Sequence, residues 1–204
     1  MDLTADQRRI LLDVARQTIR SSLGEFQTLA SYVFIPNDPA LHQPAGCFVT
    51  LHTRANRRLR GCVGRLDSSE PLVKVVEQSA KSALQDPRFS GARVRLNELS
   101  QLELEITVIL PLKPAVNTSD FDLLNDGIYL MVRDRSGCFL PQVARETGWS
   151  REQLLSRLCT EKLGLSSEMW KDSSARLMKF ETVVVGPEPF TPQVHSSEAG
   201  AMIP

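Results

Sequence analysis

Apolar residues along this chain recur with two periods, and the switches between them mark its elements. Ile10, Leu11, Val14, Ala15 and Ile19 fall at helical spacing, and Thr4 with Gln7 three positions on reads as a capping box, which predicts an amphipathic helix over 5–21. After a polar, proline-containing segment, the run Cys47-Phe48-Val49-Thr50-Leu51-His52-Thr53 is rich in β-branched and aromatic residues and reads as a strand. Positions 57–60 then form the turn and return into a second strand carrying Cys62. Ser69-Glu70-Pro71 opens a helix with Leu72, Val76, Ala80, Ala83 and Leu84 on one face, and Asp86-Pro87 ends it, because the residue before proline is pushed out of the α region. Leu102, Leu104, Ile106, Val108 and Leu110 alternate with Glu103, Glu105, Thr107 and Ile109, the pattern of a half-buried strand stopped by Pro111.

Downstream, apolar stretches at 128–133 and 138–140 flank Asp134-Arg135-Ser136-Gly137, a hairpin signature. Ser150 with Gln153 gives another capping box, Leu154, Leu155, Leu158 and Cys159 form the stripe of that helix, and Gly164 is placed to cap it. The run from Phe180 to Val185 supplies one last strand. Beyond Gly186, prolines and small polar residues predict a frayed, flexible tail over 187–204. Helices and strands mix without a βαβ rhythm, so the predicted class is α+β with an antiparallel sheet.

The composition narrows the partners. The 204 residues carry 24 basic and 24 acidic side chains and no formal net charge. That balance, with only two Trp and two Tyr for stacking, argues against nucleic acid. The longest apolar runs are far shorter than the roughly 18 residues that cross a bilayer, and the acidic start Met1-Asp2-Leu3-Thr4 does not resemble a secretory signal. Four widely spaced cysteines without a CxxC pair fit free thiols in a cytoplasmic protein. No short metal-ligand spacing is present, so neither a metal nor a cofactor is expected.

The densest chemistry lies in Leu59-Arg60-Gly61-Cys62-Val63-Gly64. A thiol sits between two glycines, and Arg54, Arg57, Arg58, Arg60 and Arg65 crowd around it in sequence. Guanidinium charge near a thiol lowers its pKa and favours the nucleophilic thiolate. Glycine lets a ligand or another backbone approach closely. Two readings stay open on the residues alone: a reactive site, or a buried cysteine with packing glycines and a solvated arginine face. Glu105 is the acid–base candidate, His52 the better of the histidines to partner Cys62, and Arg88 in Asp86-Pro87-Arg88-Phe89 can meet an anion.

These residues resemble the AMMECR domain family, also called the AmmeMemoRadiSam system protein A family. The match runs collinearly through Gly46-Cys47-Phe48-Val49-Thr50-Leu51, the hexapeptide 59–64 with Val63 where isoleucine is usual, Asp86-Pro87-Arg88-Phe89, Glu105-Ile106-Thr107-Val108, Pro141-Gln142-Val143, Trp149, and Cys159 through Gly164-Leu165 to Trp170. The resemblance implies a domain over 1–186 in two subdomains with a cleft between them, the larger built from both chain ends and the smaller from the middle. It implies Memo-like and radical SAM proteins as partners, and no reaction. Asp126-Gly127 departs from the pattern, in which a histidine before the glycine is common. The expected site combines Cys62 and Glu105 as catalytic groups with Arg58, Arg60, Gly61, Gly64 and Arg88 binding a small anionic substrate; the alternative is a noncatalytic module that binds a ligand or a partner.

Overall fold

A computed structural model describes residues 1–24 and 35–190. Helix α1 (Ala5–Ser22) carries both reciprocal bonds of the Thr4/Gln7 capping box. A one-turn helix α2 (Pro39–His42) leads into strand β1 (Gly46–Thr53), which turns back as β2 (Leu59–Arg65). Helix α3 (Leu72–Ala83) follows, then β3 (Leu102–Ile109) and a two-residue strand β4 (Lys113–Pro114). The hairpin β5 (Gly127–Val132) and β6 (Arg135–Phe139) precedes α4 (Pro141–Thr147) and α5 (Arg151–Arg157). Among the described residues, the last strands are β7 (Arg176–Phe180) and β8 (Thr182–Pro189).

The strands form two four-stranded antiparallel sheets of order β2-β1-β3-β8 and β4-β7-β5-β6, and the fold is α+β. Alternation along β1 and β3 sorts their side chains. Cys47, Val49 and Leu51 with Leu104, Ile106 and Val108 are fully buried against α1 and α3. Each such aliphatic side chain contributes roughly 1.5–3 kcal/mol by leaving water. Phe48, Thr50, His52, Glu103, Glu105 and Thr107 take the opposite face of the same strands. A separate core of Phe121, Ile128, Leu130, Val132, Phe139, Leu154, Leu155, Leu158 and Leu163 holds the second sheet and its helices.

Three departures from the sequence reading have physical causes. The single strand expected over 180–185 is two strands in different sheets. Phe180 is buried beside Gly127 in the second sheet and Val185 in the first core, with Glu181 alone between the strands. The hairpin turns at Arg133-Asp134, with Arg133 at φ 56° and Val132 opposite Arg135, so residues 135–137 are strand. Strand β8 continues across Gly186-Pro187 to Pro189. It is an edge strand, where a missing N–H costs no ladder bond, and Phe190 beyond it is buried in the first core. The rest of the expected tail, 191–204, lies outside the described residues.

Candidate functional site

The polar face of the first sheet is the floor of a cavity of about 1060 Å³, walled by the Asp86-Pro87-Arg88 turn and by residues 138–146 and Lys162 of the second half. Thr50 on the central strand β1 pairs with Cys62 of β2 on one side and Glu105 of β3 on the other. The three therefore form a row across the sheet. Two strand spacings set Cys62 and Glu105 about 10 Å apart, with Thr50 between them. The Thr50 hydroxyl donates to Cys62 Sγ at 3.3 Å.

Cys62 is held by its backbone. Its N–H donates to Asp86 Oδ2 at 2.9 Å, and its carbonyl accepts from Arg88 Nη2 at 3.1 Å. Arg88 also donates to both oxygens of Asp86, through Nε at 3.0 Å and Nη2 at 2.6 Å. The Asp86 side chain is 2% exposed, and its bonds to Arg88, then to the backbone N–H groups, hold its carboxyl down at about 2. This turn clamps the edge of β2 and brings Arg88 to the thiol.

The resulting thiol is not the thiolate that the arginine-rich sequence suggested. Burial pushes the Cys62 thiol above its ordinary range, opposed by the Thr50 hydrogen bond and by Arg88, while Asp86 pushes it further up. Cys62 is still partly exposed at the cavity. Cys47, on the opposite face of the sheet, is sealed, and burial drives its thiol up to about 12.

Glu105 lies at the other end of the row. Arg57, held at φ 55° in the β1–β2 turn, folds its side chain over β3, bonding Glu103 and lying 3.7 Å from Glu105. Burial raises the Glu105 carboxyl; Arg57 opposes this, and the charges of Glu103 and Glu146 add to it. His52, one row along, is pushed toward its neutral form by burial and then by Arg57, and its buried Nδ1 has no hydrogen-bond partner. The register pairs His52 with Leu59 and Glu103, so the residue opposite Cys62 is Thr50 and not His52. Gln142 Oε1, on the facing wall, is likewise buried without a partner.

Lys162 enters the cavity from a π-helical turn, Leu158–Leu163, that continues α5. Such turns recur at functional sites. Gly137 permits its approach, since a Cβ there would stand 2.6 Å from Lys162 Cβ. The ammonium lies 5.4 Å from the centroid of the Phe139 ring. Cys138 lines the same wall, its thiol raised by burial and lowered by Lys162.

The sequence-predicted residues do not all converge. Cys62, Gly64, Arg88 and Glu105 line the cavity. Gly61 faces the other way, because a Cβ there would meet the Ala83 carbonyl of α3 at 2.3 Å; this glycine seats the strand on the helix. Gly64 is needed where β2 crosses β1, since its Cβ would stand 2.0 Å from the Cys47 carbonyl. Arg60 donates to Glu98 and to the Ala92 carbonyl outside the cavity, and Arg58 does not line it. Thr50, Asp86, Cys138, Gln142 and Lys162 were not assigned to the site from sequence. Strand alternation from Glu105 and Cys62 could have found Thr50; the others depend on contacts distant in the chain. Among the described residues, no three His, Cys, Asp or Glu side chains converge as a metal-ligand set.

The AMMECR1 family model matches residues 12–185. The chain belongs to the AMMECR1 family. Similar family proteins include MJ0810 of Methanocaldococcus jannaschii, 31% identical over 190 residues, spanning 89% of this chain and 90% of that protein. A protein of Methanothermobacter thermautotrophicus is 32% identical over 191 residues, with coverage of 89% and 95%. The crystal structure of PH0010 from Pyrococcus horikoshii superposes with a TM-score of 0.74 at 30% identity, covering 85% of this chain and 88% of that one. Every residue assigned above to the cavity falls inside the span matched by the AMMECR1 model.

Proposed function

We propose that the cavity binds a small anionic molecule and acts on it, with Cys62 as the thiol nucleophile and Glu105 as the proton carrier. The observation that carries this reading is the row Cys62–Thr50–Glu105 on the floor of one cavity whose walls supply Arg88 and Lys162. Arg88 uses Nε and Nη2 on Asp86 and Cys62, which leaves the N–H groups of Nη1 for a ligand. An anion beside Arg88 and Lys162 would lie close to a thiol, and a carboxyl that burial has made more basic can accept a proton.

A second reading is favoured by the raised thiol: a group kept protonated by burial suits a binding module, one that would work with Memo-like and radical SAM partners. A cytoplasmic location accords with the free cysteines, and among the described residues no helix is long and apolar enough to cross a membrane.

Thiol modification separates the two readings. On the catalytic reading, Cys62 is alkylated in the native protein while Cys47 is spared. The midpoint of its pH profile lies above the ordinary cysteine value of about 8.5 and moves higher still in R88Q, which loses the lowering influence of Arg88. Small phosphate and carboxylate compounds that occupy the cavity slow the modification. A Cys62 that reacts only on unfolding would remove the nucleophile and leave the binding module.

A further inference from the structure

We infer a second anion site, separate from the cavity: a groove lined by Arg60, Arg93, Arg95 and Asn97 that takes a phosphate group of a small soluble ligand. Its volume is about 530 Å³, and Ser90, Gly91 and Ala92 form its low side. The inference begins with Arg60, which the sequence assigned to the same ligand as Cys62 and which the fold delivers elsewhere.

Arg93, Val94 and Arg95 leave the Asp86–Ala92 turn as a segment outside regular secondary structure, and Arg95 is extended at φ −117°, ψ 157°. Val94 is 4% exposed and packs into the first core, whereas both arginines are exposed. Buried Val94 anchors the segment between them, and both arginines line the same groove. Neither has a carboxylate partner among the described residues.

The groove contains one carboxylate, and it is consumed. Both oxygens of Glu98 accept from Arg60 Nη2 at 3.2 Å, and Oε2 also accepts from the Arg95 N–H at 2.8 Å. The Arg60 side chain is only 13% exposed, so this pair is a fixed wall rather than a mobile surface ion pair. Glu98 offsets Arg60, leaving the charges of Arg93 and Arg95 uncompensated in a protein with no net charge.

Guanidinium groups present paired N–H donors that match phosphate oxygens. The groove lining holds no aromatic residue for stacking a base, and small residues where a protein interface would place an apolar anchor. A Cβ at Gly91 would meet nothing within 4 Å, so that side is open to a ligand. These features favour a compact phosphate over a nucleic acid or an acidic protein segment.

The test is calorimetric titration of the full chain with inorganic pyrophosphate, alongside sodium chloride at matched ionic strength. The expected result is saturable binding that falls at least tenfold in R93Q/R95Q and persists in R9Q/R176Q, which removes equal charge elsewhere. Far-UV circular dichroism shows whether the variants remain folded. Binding that R93Q/R95Q leaves intact, or a signal that chloride reproduces, overturns the site. Tighter binding of an acidic peptide than of pyrophosphate overturns the phosphate assignment in favour of a protein partner. Arginine-dependent sedimentation with phosphatidic acid vesicles, without pyrophosphate binding, overturns the soluble ligand in favour of a lipid headgroup. The groove shares no lining residue with the cavity, so either site can fail without the other.

Discussion

Asp86 shows how a single buried carboxylate can serve structure and site together. Its side chain is almost fully enclosed, yet it stays charged because Arg88 and the backbone N–H groups of Cys62 and Arg88 meet both oxygens. A buried charge is tolerable when its lone pairs are satisfied in this way. Its carboxyl titrates at about 2 instead of the ordinary 3.8, a difference corresponding to about 2 kcal/mol of folding stability. Because the folded value is the lower one, that contribution is complete above pH 3.8 and is lost as the pH falls toward 2. D86N should therefore be less stable than the parent by about 2 kcal/mol near neutral pH, with the gap closing through the acid range. Urea unfolding at a series of pH values measures it; a gap that stays constant down to pH 2 would mean that the loss comes from packing and not from charge. The same substitution loosens the clamp on Cys62, so the site and the stability of this edge are tied to one residue.

At the scale of elements, the two glycines of the hexapeptide do steric work, and this can be measured. A methyl group at Gly61 would stand 2.3 Å from the Ala83 carbonyl, so β2 and α3 must separate. Overpacking of this kind costs roughly 1–3 kcal/mol, and G61A should lower the urea midpoint by a corresponding amount; an unchanged midpoint would show that the contact relaxes freely. How far such elements can be read from sequence depends on where their cause lies. Helix α1 was readable almost to the residue because its capping box and apolar stripe are local, and β1 and β3 because alternation is local. Strands β7 and β8 merged into one because an apolar run does not say which sheet buries it. Helix α4, recognised beforehand only as the family block at Pro141, is a single short stretch between Pro141 and Gly148, too brief for its period to stand out. Gly137, taken as a turn residue, is instead the place where the π-helical turn lies against β6. The hexapeptide located the strand at the site, but which way each residue faces follows from register. Register turned Gly61 toward the helices and set Thr50 beside Cys62.

Among the described residues, the molecule is two cores joined by two crossings of the chain, from β3 to β4 and from β7 to β8 at Glu181. Among the described residues no strand pairing links the two sheets, and the halves meet at the crossings and the cavity walls. Local stability should then differ between them. Leu130, 1% exposed in the second core, is the place to test this, because truncating a buried leucine costs about 2–5 kcal/mol. In L130A, native-state hydrogen exchange should accelerate in β5, β6 and β7 while β1 and β3 keep their protection. Equal acceleration in both sheets would show a single cooperative unit. If the halves are separable, a ligand that touches Cys62 and Arg88 on one side and Lys162 on the other binds only when they are docked, and it stabilises that docking by mass action. Such a ligand should restore protection to β5–β7 of L130A. A compound that protects the first sheet alone would occupy only the floor of the cavity and leave its far wall unused.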